Sequence, residues 1–251
     1  MRRSARRPVS RRGRLGAATL ALAAMTAAAV PATAQTMDDM NYLFVMVDEF
    51  ESAPGLAGNP LLLSAEGWYG GDYARYWFKL EGEAEPGEGA GFLSAQALYS
   101  RLVSPYFEFQ AGVRLDRQWG DGGLTRPHAV VGFQGLAPYW FEIETALFVD
   151  HEGNVSAGFD ASYDILLTQR AIVEPSLTVG LALQDVPEWG IATGLHELEL
   201  GARLRYEIRR EFAPYVGVAW HASFGGTADA VRAGGGAPRD ASLVAGLRVW
   251  Y

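Results

Sequence analysis

The sequence predicts an all-β protein: a transmembrane antiparallel β-barrel of about 12 strands, preceded by a cleaved signal peptide. Three observations predict this fold class. They are an export signal at the amino terminus, apolar and polar residues that alternate along the chain, and connections that alternate between short and long. The 251 residues contain no cysteine, which excludes a disulfide scaffold, a zinc-thiolate site and a cysteine nucleophile.

The amino terminus has the features of a secretory signal peptide. Seven arginines lie in the first 14 positions, an uncharged stretch follows from 15 to 30, and a small-residue cleavage site ends at Ala34. The uncharged stretch is shorter than the ~20 residues that a membrane-spanning helix needs. We therefore expect a signal peptide at 1–34, a short Met/Asp lead segment at 35–40 and an outer-membrane β-barrel at 41–251.

The charge of the remaining chain argues against nucleic-acid binding. With the seven amino-terminal arginines removed, 14 of the 21 basic residues remain against 29 acidic residues, a formal charge of −15. Because a negative protein repels the phosphate backbone, we expect no nucleic-acid partner.

Alternation with a period of two predicts strands along the whole chain. From 197 to 209, apolar side chains alternate with charged ones, and the same pattern recurs at 107–116, 141–149 and 155–164. Counted in this way, the predicted strands lie near 41–51, 60–70, 73–84, 90–100, 105–117, 127–135, 138–150, 154–164, 171–184, 194–209, 212–224 and 240–251.

A soluble sandwich also alternates, so the connections between strands decide the fold class. Outer-membrane barrels have short periplasmic turns and longer outer loops. Here the short turns lie near 70–72, 136–137, 167–168 and 210–211. The long connections lie at 52–59, 118–126, 185–193 and 225–239.

Two further features favour the barrel. Prolines recur at intervals of 33, 37 and 39 residues, at Pro105, Pro138, Pro175 and Pro214, and we expect each of them to begin a strand. The chain ends on an aromatic residue, Tyr251, with apolar residues at alternate positions before it. This ending resembles the carboxy-terminal signal that the barrel assembly machinery recognises.

If the apolar residues face lipid, charged residues of both signs face the lumen. This pattern predicts either a polar, ion-binding conduit or a set of cross-paired charges that only stiffens the barrel. The charged side chains expected in the lumen are Arg75, Lys79, Glu81, Glu83, Glu142, Glu144, Glu197, Glu199, Arg203, Arg205 and Glu207.

Candidate metal ligands lie at the two ends of the predicted barrel. Thioethers suit Cu(I), whereas imidazoles suit copper, nickel and zinc. The four histidines, which include His128, fall at the outer ends of strands or in outer loops. The candidate ligands are Met37, Met40, Met46, Asp48, Glu51, His151, His196 and His221. The alternative interpretation is that the histidines are surface residues scattered on loops, that the segment with Met37 and Met40 is a short disordered lead-in, and that Met46 faces lipid.

His221 and Ser223 suggest an alternative function, that of an enzyme. Their spacing resembles that of outer-membrane phospholipase A, whose pair faces lipid, whereas Val216 and Val218 suggest that the opposite face of this strand meets lipid. We therefore predict no catalytic residue and no enzyme activity.

Several long segments together resemble the copper resistance protein B family of outer-membrane barrels. They include WYGGD at 68–72, QALYSR at 96–101, GLAPYWFE at 135–142, LLTQR at 166–170 and RLRYEIRREFAPY at 203–215. Family members carry a Met- and His-rich segment before the barrel. Here that region is Gln35–Asn41, with two methionines and no histidine.

The resemblance implies an outer-membrane protein of copper resistance and homeostasis, which binds copper or assists its passage, with a copper ion as cofactor. The expected partners are outer-membrane lipids, the barrel assembly machinery and periplasmic copper proteins. The alternatives are a general small channel, a structural barrel, or a phospholipase-like enzyme that uses His221 and Ser223.

Overall fold

The structure is a computed structural model that describes residues 40–53, 59–85, 89–120 and 123–251. The predicted signal peptide and the lead segment up to residue 39, which includes Met37, lie outside the described residues. Within the described residues, no helix is both long and apolar enough to cross a bilayer.

Twelve long strands and one two-residue strand form a single antiparallel sheet in the described residues. The strands are β1 (Tyr42–Ser52), β2 (Leu61–Gly70), β3 (Ala74–Glu85), β4 (Ala90–Ser104), β5 (Phe107–Trp119), β6 (Thr125–Ala137), β7 (Phe141–Asp150), β8 (Val155–Ser162), β9 (Ile165–Leu166), β10 (Ala171–Ala182), β11 (Gly194–Tyr206), β12 (Phe212–Ser223) and β13 (Arg239–Trp250).

The sheet closes on itself. β1 pairs with β2 on one side and with β13 on the other, for example Met46 with Trp250 and Val47 with Val249. The short β9 continues the edge of β8 and pairs with β10, so the wall of the barrel is twelve strands wide. The predicted twelve-stranded barrel is confirmed.

The barrel has an inverted distribution of polarity compared with a water-soluble protein. Large apolar side chains cover its outer wall: Phe78 and Val113 are each 61% exposed, and Leu243 is 64% exposed. Charged side chains such as Lys79 and Arg203 are buried on the opposite faces of the strands. Because only lipid can cover such a wall, the chain is an outer-membrane barrel.

The connections distinguish the two ends of the barrel. Short turns join the strands at the end where β1 begins and β13 ends, which is the periplasmic end of an outer-membrane barrel. At the outer end, the connection from β12 to β13 contains a helix, α1 (Gly225–Ala233), which packs on β11 and β12. The backbone N–H of Ala192, in the connection from β10 to β11, donates to Thr227 Oγ1 at 2.8 Å.

The expectation that four prolines begin strands is wrong at two positions. Pro105 and Pro138 lie in turns before β5 and β7, but Pro214 is the third residue of β12 and Pro175 is the fifth residue of β10. The carbonyl of Pro175 accepts the N–H of Tyr163 (3.2 Å), so its nitrogen also faces the break between β8 and β9. Proline is tolerated there because the neighbouring edge is already interrupted.

Val113 tests the lipid-facing wall, because it lies in the middle of β5 and is exposed. We predict that Val113→Arg lowers the free energy of unfolding by about 2–4 kcal/mol, the cost of placing a cation at the bilayer midplane. Urea titration of the barrel in lipid vesicles measures this change. Val113→Leu is the control, and its free energy of unfolding should lie within about 1 kcal/mol of that of the parent protein. An arginine variant as stable as the parent would contradict the placement of Val113 on the lipid-facing wall.

Candidate functional site: the charged interior

One buried charge network joins β1 to β11 across the interior. Arg203 donates from Nη2 to Glu49 Oε1 (2.8 Å) and to Glu51 Oε1 (3.1 Å), and from Nε to Glu51 Oε2 (3.2 Å). The hydroxyl of Tyr215 donates to Glu51 Oε2 at 2.9 Å. Two strands, β12 and β13, separate β11 from β1, so the contact runs beneath them, inside the barrel.

Two glycines leave room for this network. A Cβ at Gly246 would lie 2.6 Å from the hydroxyl oxygen of Tyr215, and one at Gly217 would lie 3.0 Å from Cγ of Arg203. Because glycine adds no side chain at these positions, Arg203 and Tyr215 can lie flat against the wall and reach Glu51.

A bulge in β1 supplies the acidic side of the network. The register of β1 against β2 shifts between Val47 and Glu49, which inserts Asp48 as an extra residue. As a result, both neighbouring carboxylates meet interior arginines: Glu49 pairs with Arg203, and Asp48 pairs with Arg248 Nε at 2.9 Å.

A second cluster lies nearer the periplasmic end. Arg205 pairs with Glu174 and with Asp164 (2.7 Å), and Arg248 Nη1 also reaches Glu174, at 3.1 Å. Glu207 follows β11 and lines a cavity of about 220 Å³ beside Arg205 and Arg248. These pairs connect β10, β11 and β13 across the interior.

The opposite wall carries a third cluster, centred on Lys79. Lys79 Nζ on β3 donates to Glu144 on β7 and to Gln134 on β6 (2.9 Å), so this side chain spans part of the interior. Towards the periplasmic end, Arg75 pairs with Glu108 at 2.9 Å.

An apolar cluster also lies inside the barrel. Trp77, Leu98, Val130 and Ala146 are buried together, and Trp68 and Phe148 pack against them. The indole N–H of Trp77 donates to Glu108 Oε2 at 3.1 Å. The interior therefore combines ion pairs with a packed apolar patch, which narrows the space that water can occupy.

Not every interior charge is paired. Several carboxylates on the inward faces of their strands form no hydrogen bond or ion pair with the described residues, and three of them, Glu81, Glu83 and Glu142, are exposed to solvent. These carboxylates include Glu66, Glu81, Glu83, Glu142 and Glu199. Solvent therefore reaches anionic groups inside the wall of the barrel.

The candidate ligands on β1 lie in the interior but are engaged by arginines. Asp48 pairs with Arg248, Glu51 pairs with Arg203, and the sulfur of Met46 lies 3.4 Å from Nη2 of Arg248. A metal ion at any of them would first have to displace a guanidinium.

The remaining candidates are spread over both ends of the barrel. Met40 is exposed at the start of the described barrel, where Tyr42 Oη lies 3.9 Å from its sulfur. At the outer end, His151 lies in the turn after β7, His196 lies near the start of β11, and His221 Nε2 lies 3.5 Å from Glu197 Oε1. Among the described residues, no group of three or more histidine or acidic side chains is arranged to hold a metal ion.

The fourth histidine, His128, is buried on the inward face of β6. Its Nε2 lies 3.1 Å from Asp116 Oδ2, and Asp116 Oδ1 accepts a hydrogen bond from Arg114 Nε at 2.7 Å. The interior near the outer end is therefore also cross-linked by polar contacts.

His221 and Ser223 share the inward face of β12, because Val216 and Val218 on the same strand are exposed on the outer wall. No hydrogen bond joins the two side chains among the described contacts. A phospholipase-like pair that faces lipid is not formed here.

Comparison with known proteins identifies the family. The family model of the copper resistance protein B precursor matches residues 41–251. The chain belongs to the copper resistance protein B family. It is similar to a copper resistance protein B of Escherichia coli, with 42% identity over 84% of this chain and 70% of the relative. It also resembles a copper resistance protein B homolog of Pseudomonas syringae pv. tomato, with 35% identity over 86% of this chain and 72% of the relative.

Membership of this family gives the chain a role in copper resistance.

Among solved structures, the chain is similar to a KdgM porin, with 9% identity, coverage of 83% of this chain and 98% of the porin, and a TM-score of 0.46. It is also similar to the β domain of the Bordetella autotransporter BrkA, with 14% identity, coverage of 83% and 98%, and a TM-score of 0.32.

Sequence reasoning missed several members of the interior. Glu49 was not among the candidates, because strict alternation places it on the face opposite to Asp48, and only the bulge turns it inward. Trp77 and Tyr215 were also missed, although both are buried and donate hydrogen bonds to interior carboxylates. The alternation could have found them, because Trp77 shares the face of Lys79 and Tyr215 lies on the face opposite to Val216.

Arg203 tests the interior network. We predict that Arg203→Gln lowers the free energy of unfolding by about 3–5 kcal/mol, because it leaves the buried Glu51 and the partly buried Glu49 without their cation. The control is Arg232→Gln, which breaks an exposed pair with Asp229 on α1 and should cost less than about 1 kcal/mol. Urea titration in vesicles compares the two variants, and similar small losses would show that the network does not stabilise the barrel.

Proposed function

We propose that this barrel contributes to copper resistance by admitting copper ions into its interior, where unpaired carboxylates bind them transiently. The copper ion is the cargo of this process, and no covalent step is involved. The observation that carries the proposal is the set of solvent-exposed, unpaired acidic groups inside the wall, represented by Glu81, Glu83 and Glu142.

The charge balance of the interior supports a cation as the cargo. Basic side chains of the interior already form ion pairs. Lys79 pairs with Glu144, Arg203 pairs with Glu49 and Glu51, and Arg248 pairs with Asp48. Since further carboxylates inside the wall form no ion pair while these bases are already paired, negative charge exceeds positive charge in the interior, and the net field attracts positive ions and repels anions.

The chemistry of the available ligands favours Cu(II) over Cu(I) as the ion in the interior. Carboxylate and imidazole groups suit Cu(II), whereas Cu(I) prefers thioether or thiolate sulfur. The described residues offer many carboxylates, while the sulfur of Met46 contacts Arg248 and Met40 lies exposed at the barrel end. Weak, separated carboxylates also suit passage, because an ion must be able to leave each site.

We further propose the partners of this process. The apolar outer wall requires outer-membrane lipids, and the last strand, which ends at Trp250 and Tyr251, fits recognition by the barrel assembly machinery. Periplasmic copper proteins would exchange the ion at the periplasmic end.

A purely structural barrel is the second candidate. It is favoured by the ion pairs that link strands across the interior, above all those of Arg203 and Lys79. In that case the charges stiffen the wall, and neither copper nor other ions enter.

Conductance in a planar bilayer separates the two candidates. We predict a cation-selective current in the parent protein, and a cation-to-anion permeability ratio that falls toward one in Glu81→Gln/Glu83→Gln/Glu142→Gln, because the variant removes three fixed negative charges. The matched control is Glu152→Gln/Glu188→Gln/Asp229→Asn, which removes three acids from the outer connections. No current in the parent would contradict passage and favour the structural barrel.

A second experiment tests which oxidation state of copper the interior binds. Elemental analysis measures the amount of copper bound per folded barrel after exposure to each ion. We predict that the barrel retains more copper after exposure to Cu(II) than to Cu(I), and that the glutamine triple variant loses this copper. Met37→Leu/Met40→Leu/Met46→Leu should retain the Cu(II), because thioethers are not its preferred ligands. Retention of Cu(I) that depends on the methionines would contradict the proposal and assign binding to the thioethers of the lead segment and β1.

A further inference from the structure

An apolar groove of about 630 Å³ runs along the lipid-facing wall over strands β3 to β7. Its rims are the exposed side chains of Phe78, Val113 and Val149. Its floor is made by small residues: Ala97 lies between Phe78 and Val113 in the strand register, and Ala129 lies between Val113 and Val149. Because Val113 stands between the two alanines, the groove consists of two apolar depressions side by side, and the apolar character of each fits an acyl chain.

Polar groups lie at the outer end of the same groove. Arg117 on β5 shares the outward face of Val113, because both are at odd positions of one strand, and its Nη1 donates to Thr125 Oγ1 at 2.8 Å. His151 is exposed beside the groove, and its backbone N–H donates to the carbonyl of Pro127 at 3.2 Å. Arg117 and His151 therefore flank the first residues of β6, on the side that faces lipid.

The position of these groups matches the headgroup level of the outer leaflet. They lie at the end of the barrel opposite to the start of β1 and the end of β13, where the long connections are found. The guanidinium of Arg117 keeps donors free after its bond to Thr125, and an imidazole N–H can donate as well. Guanidinium groups bind phosphate oxygens through strong, charge-assisted hydrogen bonds.

From this arrangement we propose that the wall over β3 to β7 binds one phosphate-bearing glycolipid of the outer leaflet. Acyl chains fill the depressions above Ala97 and Ala129, on either side of Val113, and the phosphate is held by Arg117 and His151. The apolar groove and the polar rim are independent observations, and they point to the two ends of the same amphipathic ligand. This proposal does not depend on the handling of copper.

Native mass spectrometry of the barrel, extracted in mild detergent, tests the site. We expect the parent protein to retain a phosphorylated lipid A species, and Arg117→Gln/His151→Gln to retain at least about tenfold less, the effect of losing one charge-assisted hydrogen bond. Arg101→Gln is the matched control, because Arg101 is an exposed arginine on the neighbouring strand β4, near the periplasmic end. It should retain the lipid as the parent does.

A second variant tests the groove without touching the rim. Ala97→Leu/Ala129→Leu fills the floor and should also reduce retention, while unchanged heat-dependent migration in gels shows that the barrel has folded. Exchange with defined lipids tests the headgroup: phosphorylated lipid A should displace the bound lipid, whereas dephosphorylated lipid A should displace it poorly. Equal retention by the parent and the Arg117/His151 variant, or equal displacement by dephosphorylated lipid A, would overturn the proposal.

Discussion

Hydrogen bonds between β1 and β13 close the sheet, and the rest of the molecule follows from that closure. In a bilayer no water is available for a free strand edge, so each backbone N–H and C=O must find a partner in a neighbouring strand. A closed wall has only two faces. Because successive side chains alternate between them, the apolar residues meet lipid and the charged residues are forced into a narrow interior.

Charges in such a space must be paired, or solvated by water that enters the barrel. Both solutions are present. Arg203, Arg248 and Lys79 link strands that are not neighbours in the sheet, whereas Glu81, Glu83 and Glu142 remain unpaired and exposed. The paired groups stabilise the shape of the interior, and the unpaired groups give it a negative field. The interior therefore combines a stiff, cross-linked wall with a net negative field.

Most of the fold could be predicted from the sequence, because a strict period of two and turn residues leave little freedom in a barrel. The contacts inside the barrel were harder to predict. The bulge that turns Glu49 inward is not visible in the alternation, and the cross-wall pairs of Arg203 depend on the shear of the sheet, which no local pattern encodes. Pro175 shows the same limit: its place inside β10 is permitted only by a break in the neighbouring edge. The candidate metal ligands were chosen by residue type, which does not determine position: those on β1 are engaged by arginines, and the other described ones are spread over both ends of the barrel.

The central claim is that copper ions enter the interior and meet its unpaired carboxylates. Anomalous diffraction at the copper absorption edge, from crystals of the folded barrel soaked in Cu(II), tests it most directly. The account predicts anomalous density inside the wall, next to Glu81, Glu83 or Glu142. Density confined to the outer surface or to the histidines of the outer connections, with none in the interior, would contradict it.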